Sequence, residues 1–432
     1  MTSDQNGRFA GLDFGTTNSV AARASGADTP RLLSFSHADG ATEVFRSALC
    51  FWQDDGVPGG LAAAAGPAAI HEYLEDPSGS RFLQSFKSVA ASSTFDSAPV
   101  FTKRFRFEEL GRRFIQEMAS HARGEFQRLD RLVVGRPVHY AGMRPDPVLA
   151  RQRYDAMFDG FAAEVHYVYE PLAAAFSFAS RISDPATLLV ADFGGGTSDF
   201  SVVHIRERGA QARCVPLGHA GVGLAGDRFD QRIVDRLVLP VLGKGSQYRS
   251  FDKVLDIPAS YFADFSDWSK LALMRNRKTL AELDRLRRSA VDPDAITRMI
   301  AMIENELGFA LYDAVGRLKR ALSDEEQAQF QFSGGGVTID ANVTRAEFEG
   351  WISEDVARMA GAVDEALRNA GVAENEIDRV FLTGGTSLVP AVRALFATRF
   401  GEEKLMSGGE LTSIAHGLAL VAQEEDLSSW TA

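Results

Sequence analysis

The chain has 432 residues, of which 45% are hydrophobic and 24% charged, and its formal net charge is −12. This length exceeds one compact core and predicts two or three domains or lobes, while the negative charge argues against nucleic acid or an anionic membrane as the main partner. Cys50 and Cys214 lack the spacing of a zinc site or a disulfide framework,. The N-terminus shows no secretory signal and no apolar run is long enough to span a bilayer, so we expect a cytoplasmic protein.

The first half of the sequence alternates short apolar strands with helical patterns. Apolar runs bounded by turn residues predict strands at residues 9–15, 49–53, 132–134 and 165–168,. Helical periodicity predicts helices at residues 108–129, 148–163 and 172–180,. Pro171 fits the first turn of the last of these helices. This alternation is typical of βαβ units and predicts a mostly parallel sheet.

The alternation of predicted strands and helices begins again in the second half of the sequence. Strands are predicted at residues 187–192 and 379–382, and residues 200–205 are the expected hairpin partner of the first of these,. Helices are predicted at residues 229–242, 270–323 with a break at Asp292-Pro293, 344–370, 389–400 and 412–423,. Thr344 and Glu347 have the spacing of a capping box. Since no Pro/Ser-rich linker separates the halves, we expect two lobes of one unit.

Two of the predicted strands end in nearly the same turn. Asp13 precedes Phe14-Gly15-Thr16-Thr17-Asn18, and Asp192 precedes Phe193-Gly194-Gly195-Gly196-Thr197. Glycines in such turns let backbone N–H groups point at an anion, and threonine hydroxyls add donors. A neighbouring carboxylate can hold a hydrated Mg²⁺. Either turn alone is also compatible with a plain hairpin, but together they predict a clamp on a polyphosphate, with both aspartates facing one metal.

A third turn, Gly384-Gly385-Thr386, follows the strand at 379–382 and lacks a leading aspartate. Its glycine pair permits close approach of a flat ring or a phosphate. A simple strand-to-helix connection is the alternative.

In combination these motifs resemble the ATPase domain of the heat-shock 70 kDa (DnaK-like) chaperones, within the actin-like ATPase superfamily. The similar segments are, in the family's order, GLDFGTTNSV (11–20), FLQSFKSV (82–89), YEPLAAAFSF (169–178), VADFGGGTSDFSVV (190–203), LAGDRFDQRIVD (224–235), RLKRALS (317–323), TRAEFEGWI (344–352) and VFLTGGTSLVP (380–390). The resemblance covers the chain from about residue 9 onwards.

The resemblance implies an α/β, actin-like ATPase fold. Two lobes would each be built on a mixed βαβ sheet with flanking helices, and the nucleotide would lie in the cleft between them. Lobe I would be residues 1–183, onto which the final helix at 412–432 packs back, and lobe II would be residues 184–411.

The implied ligands are ATP/ADP and Mg²⁺, with Asp13 and Asp192 holding the metal through water. Lys87 would hold the attacking water and neutralise the γ-phosphate, and Glu170 and Asp199 would position the water. The implied nucleotide contacts are Gly15, Thr16, Thr17, Asn18, Gly194, Gly195, Gly196, Thr197, Gly226, Lys319, Arg320, Ser323, Gly384, Gly385 and Thr386. Without the resemblance, we would interpret Lys87 as a solvated surface lysine. Glu170 would be an acidic residue that interacts favourably with the dipole at the start of a helix, and Asp199 would be a cap of the hairpin.

The sequence departs from the family's pattern on the base-binding side. Gly316 stands where the family usually has Glu, and Leu388 stands where an Arg usually stacks on adenine. Residues 410–420 keep Gly417 but lack the usual Asp. The chain stops roughly where the family's ATPase domain stops, which is similar to the short, YegD-like members that lack a peptide-binding domain.

The resemblance therefore implies a cytoplasmic chaperone-like ATPase that hydrolyses ATP slowly. Closure of its lobes would change outer surfaces that client proteins or a co-chaperone read. Two alternatives remain. A small-molecule (sugar) kinase of the same superfamily would need a carboxylate base in an acceptor pocket, for which the sequence shows no signature. A nucleotide-dependent scaffold with little hydrolysis is compatible with the altered base-binding residues.

Overall fold

The structure is a computed structural model and describes residues 7–424 and 427, except 27, 39, 78, 143, 181, 183, 208–213, 264, 266–270, 272, 273, 407, 409 and 410. The chain divides into two compact units. The first comprises residues 1–226 and 356–432, and the second comprises residues 227–355. The predicted lobe boundary at 183, the helix start at 270 and the last residues of the predicted final helix lie outside the described residues. The division into lobes I and II stays a prediction.

The strands follow in chain order. They are β1 (Arg8–Phe14), β2 (Asn18–Ser25), β3 (Arg31–Leu32), β4 (Phe35–His37), β5 (Gly40–Thr42), β6 (Phe45–Arg46), β7 (Ala48–Gln53), β8 (Leu61–Ala65), β9 (Ser80–Gln84), β10 (Ala98–Val100), β11 (Lys103–Phe105), β12 (Leu129–Arg136), β13 (Ala162–Tyr169), β14 (Ala186–Phe193), β15 (Ser198–Ile205), β16 (Cys214–Val222), β17 (Gln247–Ser250), β18 (Lys253–Asp256), β19 (Gln327–Gly334), β20 (Val337–Thr344), β21 (Arg379–Thr383) and β22 (Leu405–Met406).

The α-helices are α1 (Gly66–Glu75), α2 (Phe107–His121), α3 (Pro147–Phe158), α4 (Glu170–Ala179), α5 (Gly226–Ile233), α6 (Ser260–Ala263), α7 (Arg277–Ser289), α8 (Pro293–Glu304), α9 (Gly308–Asp324), α10 (Arg345–Ala370), α11 (Pro390–Phe400) and α12 (Ser413–Ala422). Short 3-10 turns lie at Phe86–Val89, Glu374–Glu376, Gly385–Leu388 and Glu402–Lys404, and a π-helical turn lies at Val234–Val238. No helix within the described residues is long and apolar enough to cross a membrane.

Two sheets of the first unit share one connectivity. In one sheet, β1 lies between its hairpin partner β2 and the parallel strand β12, and β13 continues in parallel. In the other, β14 lies between its hairpin partner β15 and the parallel strand β21, and β22 continues in parallel. The α/β class with mixed sheets is therefore observed. The expectation of a mostly parallel sheet is wrong, because each aspartate-led strand folds back as an antiparallel hairpin.

Many predicted elements lie where the sequence places them, but several helix ends differ. The hairpin of β19 and β20 was not predicted, and the predicted helical region at 270–323 has a second break, between α8 and α9. α2 ends at His121 and α3 ends at Phe158, earlier than predicted. The apolar residues that extend both helical patterns instead begin strands, and Leu129 pairs with Ala162. The predicted capping box is present, since Thr344 N donates to Glu347 Oε2 at 2.9 Å and Glu347 N donates to Thr344 Oγ1 at 3.2 Å.

Helix α12 packs against β1 and α4 of the first unit. Glycine allows the backbones to approach very closely. A Cβ on Gly417 would lie 1.7 Å from Ala173 O, and a Cβ on Gly11 would lie 2.3 Å from Ala419 N. Leu418 is fully buried at this junction. Small residues at 11 and 417 thus set the position of the helix behind the sheet.

We expect Gly417→Ala to destabilise the first unit by about 1–3 kcal/mol, because the added methyl group overlaps a backbone oxygen that cannot move freely. Gly361→Ala, at an exposed position of α10, is the matched control, since a Cβ there meets nothing within 4 Å. Ala has the higher helix propensity, so the control is neutral or slightly stabilising. Urea unfolding of both variants measures the difference, and equal midpoints would contradict the packing argument.

Candidate active site

The two aspartate-led turns have the same backbone construction. Phe14 pairs with Ser19, so residues 15–18 lie between the paired positions, and Asn18 is already the first residue of β2. Phe193 pairs with Ser198, so residues 194–197 lie between the paired positions. Each connection therefore begins with a glycine and returns after the same number of residues. A Cβ at residue 15 would lie 2.1 Å from Asn18 O, so the first turn needs glycine at that position.

These turns lie side by side in the first unit. A Cβ built on Gly196 would be 3.8 Å from Thr16 Oγ1. Ser47 holds the first turn, because its hydroxyl donates to Gly15 O at 2.7 Å and its backbone N donates to Thr17 O at 2.9 Å. The structure thus brings together the two segments that the sequence predicts to grip one phosphate chain.

The third turn adjoins the second one. β14 and β21 are parallel neighbours in which Asp192 is level with Thr383. Gly384 has φ +83°, and a Cβ there would lie 2.0 Å from Phe193 O, so this position needs glycine for both conformation and space,. Thr386 Oγ1 donates to Gly194 O at 3.5 Å. Leu388, at the end of this turn, is 60% exposed.

Lys87 and Glu170 form a buried ion pair. Lys87 Nζ donates to Glu170 Oε1 at 2.8 Å, and both side chains are less than 10% exposed. Lys87 lies on the 3-10 turn Phe86–Val89, and Glu170 is the first residue of α4. Burial alone would lower the pKa of Lys87, but the negative charges of Glu170 and Asp13 raise it above its ordinary value. The lysine therefore stays charged, and it is not the surface residue that the sequence alone suggests.

Asp13 and Asp192 share an unfavourable electrostatic environment. Burial and the charge of Glu170 raise the pKa of Asp13 from 3.8 to about 7, although Lys87 lowers it. Burial, Glu170 and Asp13 raise the pKa of Asp192 well above its ordinary value. Carboxylates held close together in a site with one lysine leave an excess of negative charge. A cation would relieve this excess.

Asp199 lies opposite Asp192 on the second hairpin and is fully buried. Its Oδ1 accepts from the backbone N of His139 at 2.9 Å. Its Oδ2 has no hydrogen-bond partner among the described residues. Burial and the charge of Glu170 raise the pKa of Asp199 to about 7, against the hydrogen bond from His139. The side chain is thus a buried carboxyl with a raised pKa.

Sequence reasoning missed Ser47 and His139. His139 follows the carboxyl end of β12, which is the parallel neighbour of β1. Because carboxyl ends of parallel strands gather at one sheet edge, that position was a recognisable signal. Ser47 carries no motif, and only its pairing with the first turn reveals its role.

The residues assigned to the base lie partly in the second unit. On α9, Lys319 Nζ pairs with Asp230 Oδ1 at 2.7 Å. Ser323 Oγ donates to Lys319 O at 3.1 Å. Arg320 is exposed on the same helix. Gly226 is buried at the start of α5.

Within the described part of the chain, no group of three or more His, Cys, Asp or Glu side chains is arranged to hold a metal ion. Side chains of the types present in the first unit, carboxylates and a lysine ammonium, can in general bind a hydrated cation through water, orient a water molecule and accept a proton. These are the operations that hydrolysis of a phosphoanhydride requires.

The model of the family described as Hsp70 protein matches residues 302–424. This range includes α9, α10, the third turn and α12. The two aspartate-led turns and the Lys87–Glu170 pair lie outside it.

We expect the protein without ligands to lose stability as pH rises from about 4 to 7, because folded Asp199 keeps its proton to about pH 7 whereas the unfolded residue loses it near 3.8,. Asp199→Asn removes this loss, so its stability relative to wild type should be about 2–3 kcal/mol higher at pH 8 than at pH 5. Urea unfolding at both values, without added Mg²⁺ or nucleotide, measures the difference. Asp28→Asn, which removes a carboxylate at an exposed site, is the control. If the stability of Asp199→Asn relative to wild type is the same at pH 5 and pH 8, the raised pKa assigned to Asp199 is contradicted.

Proposed function

Because the chain belongs to the Hsp70 family, whose fold is the actin-like ATPase fold, we propose that it binds Mg-ATP and hydrolyses it slowly to ADP and phosphate. The observation that carries this proposal is the pair of identically built glycine turns beside a buried Lys87–Glu170 ion pair. The turns supply the backbone and hydroxyl groups that polyphosphates need. The ion pair supplies a charged donor away from bulk water.

The phosphate contacts of the proposal are all in the first unit. Residues 15–18 and 194–197 would hold the phosphate chain from two sides. Asp13 and Asp192 would hold Mg²⁺ through its water shell, and their raised pKa values fit a site that lacks a positive charge,. When bound, the metal would neutralise charge on the β- and γ-phosphates. We retain Lys319, Arg320, Ser323, Gly226 and residues 384–386 as predicted nucleoside contacts.

In the proposed reaction, Lys87, Glu170 and Asp199 have different roles. Glu170 Oε1 fixes the Lys87 ammonium, whose remaining N–H groups would hold the attacking water and a γ-phosphate oxygen. As the bond from water oxygen to the γ-phosphorus forms, the bond to the β–γ bridging oxygen breaks. The proton leaving the water would go to Asp199 Oδ2, which has no other partner among the described residues. A pKa of about 7 suits this proton transfer near neutral pH,.

Hsp70 proteins generally bind client proteins and co-chaperones besides nucleotide. We propose the same classes of partner here, in the cytoplasm where this family usually acts, with closure of two lobes around the nucleotide as the signal.

Lys87→Ala should lower phosphate release from Mg-ATP by about 100-fold or more, since it removes the group that positions water and stabilises the transferred charge. Binding of ATP, measured by calorimetry, should persist because the glycine turns remain. Lys103→Ala is the control, as Lys103 Nζ donates to Gly59 O at an exposed site. A variant as fast as wild type would remove Lys87 from the mechanism.

The same assay separates the alternatives. Strong dependence of turnover on an added sugar would indicate a kinase, whereas ATP binding without hydrolysis would indicate a scaffold. No binding of any nucleotide would overturn the proposed function.

Asp13→Asn combined with Asp192→Asn should weaken the dependence of ATP affinity on Mg²⁺. Wild type should bind ATP at least about tenfold more weakly in EDTA than with Mg²⁺, and the double variant should show little difference, because the carboxylates that hold the metal's waters are absent. Calorimetric titrations with and without metal give both ratios. An unchanged ratio in the double variant would place the metal elsewhere.

A further inference from the structure

One arginine holds the segment that follows Lys87. Arg153 lies on α3, and its Nη1 donates to Val89 O at 2.9 Å, to Ala90 O at 2.9 Å and to Ser92 O at 3.1 Å. Its Nη2 donates to Phe95 O at 2.6 Å. The guanidinium is thus surrounded by four carbonyl oxygens of one short stretch of chain.

The stretch itself is built from local turns. Ala90 N donates to Lys87 O at 3.0 Å, and Ser92 N donates to Val89 O at 3.0 Å. The stretch is entered through Ser85, which has φ 54°, a conformation that few non-glycine residues adopt,. Local turns give the segment its shape but do not position it against the sheet, so contacts from outside the segment must do so.

Two sets of contacts from the α3 region can position the segment that follows Lys87. One is the set of Arg153 hydrogen bonds, and the other is the bond from Asp146 N to Ala91 O at 2.9 Å. The Arg153 guanidinium also lies 5.9 Å from the Phe95 ring centroid. Arg153 therefore provides most of the described polar contacts that tie the segment to α3.

Lys87 needs such support because its task is geometric. Its Nζ must stay within hydrogen-bond distance of Glu170. The same Nζ lies 5.8 Å from the ring centroid of Phe14, the residue that follows Asp13 in the sequence. A displacement of about 1 Å at a reacting group can cost on the order of 100-fold in rate.

We propose that Arg153 is a positioning residue for Lys87: by binding four carbonyl oxygens of residues 89–95, it fixes the turn that carries the lysine. This inference rests on the proposed ATPase function. A guanidinium suits the task, because it directs five donors in one plane, whereas a lysine ammonium offers three donors at one point.

The experiment compares Arg153→Met and Arg153→Lys with wild type. Arg153→Met should lower kcat for Mg-ATP hydrolysis by about 10- to 100-fold and change KM and the Kd for ATP by less than about threefold. Arg153→Lys should fall between the two. Hydrogen–deuterium exchange of residues 86–95 should be faster in Arg153→Met than in wild type.

Arg131→Met is the matched control. Arg131 Nη1 also donates to backbone carbonyls of the first unit, Ala422 O at 3.2 Å and Glu424 O at 2.8 Å, far from Lys87 in sequence. It should lower stability without lowering kcat at a temperature where all variants are folded. This separates general destabilisation from loss of position.

Unchanged kcat in Arg153→Met, or an equal fall of kcat in Arg131→Met, would overturn the positioning role. If wild type does not hydrolyse ATP, the proposed function fails instead. In that case, exchange at residues 86–95 still decides whether Arg153 fixes the segment, and unaltered exchange would overturn that as well.

Discussion

The site depends on one buried positive charge among several negative ones. Lys87 is held by Glu170, and the same environment raises the pKa values of Asp13, Asp192 and Asp199. Burying carboxylates without enough cations costs stability, so this arrangement is unfavourable until a ligand completes it. The cation proposed for Asp13 and Asp192 would offset this cost.

The sequence predicts the two hairpins well because short-range rules decide them. The signal for each hairpin lies within about ten residues: an apolar strand, an aspartate and a glycine turn. The partner strand follows directly in the sequence. Helix ends were predicted less well. The residues around Leu129 and Ala162 fit a helical period, but these two residues pair with each other across parallel strands. That pairing is a contact between distant segments, which periodicity does not report.

The same distinction applies to the site. Asp13 and Asp192 stand in recognisable turns, whereas Lys87 has no local signal and required the family resemblance. Ser47 and Arg153 donate to backbone carbonyls of other segments, and His139 donates its own backbone N–H to Asp199, so their residue types say little. A serine or arginine that holds carbonyl oxygens is visible only when the chain is folded. Sequence therefore indicates the residues of the proposed site better than the residues that hold them in position.

The close packing of α12 has a consequence for biosynthesis. Gln423 donates to Gly26 O at 2.7 Å across 397 positions of the chain, and Gly11 lies against the same helix. The first sheet is synthesised early but gains this covering helix only after residue 422 has left the ribosome. Contacts of such long sequence separation form slowly. The nascent first unit therefore keeps this apolar sheet face without its covering helix during most of translation, and such exposed apolar surface favours aggregation.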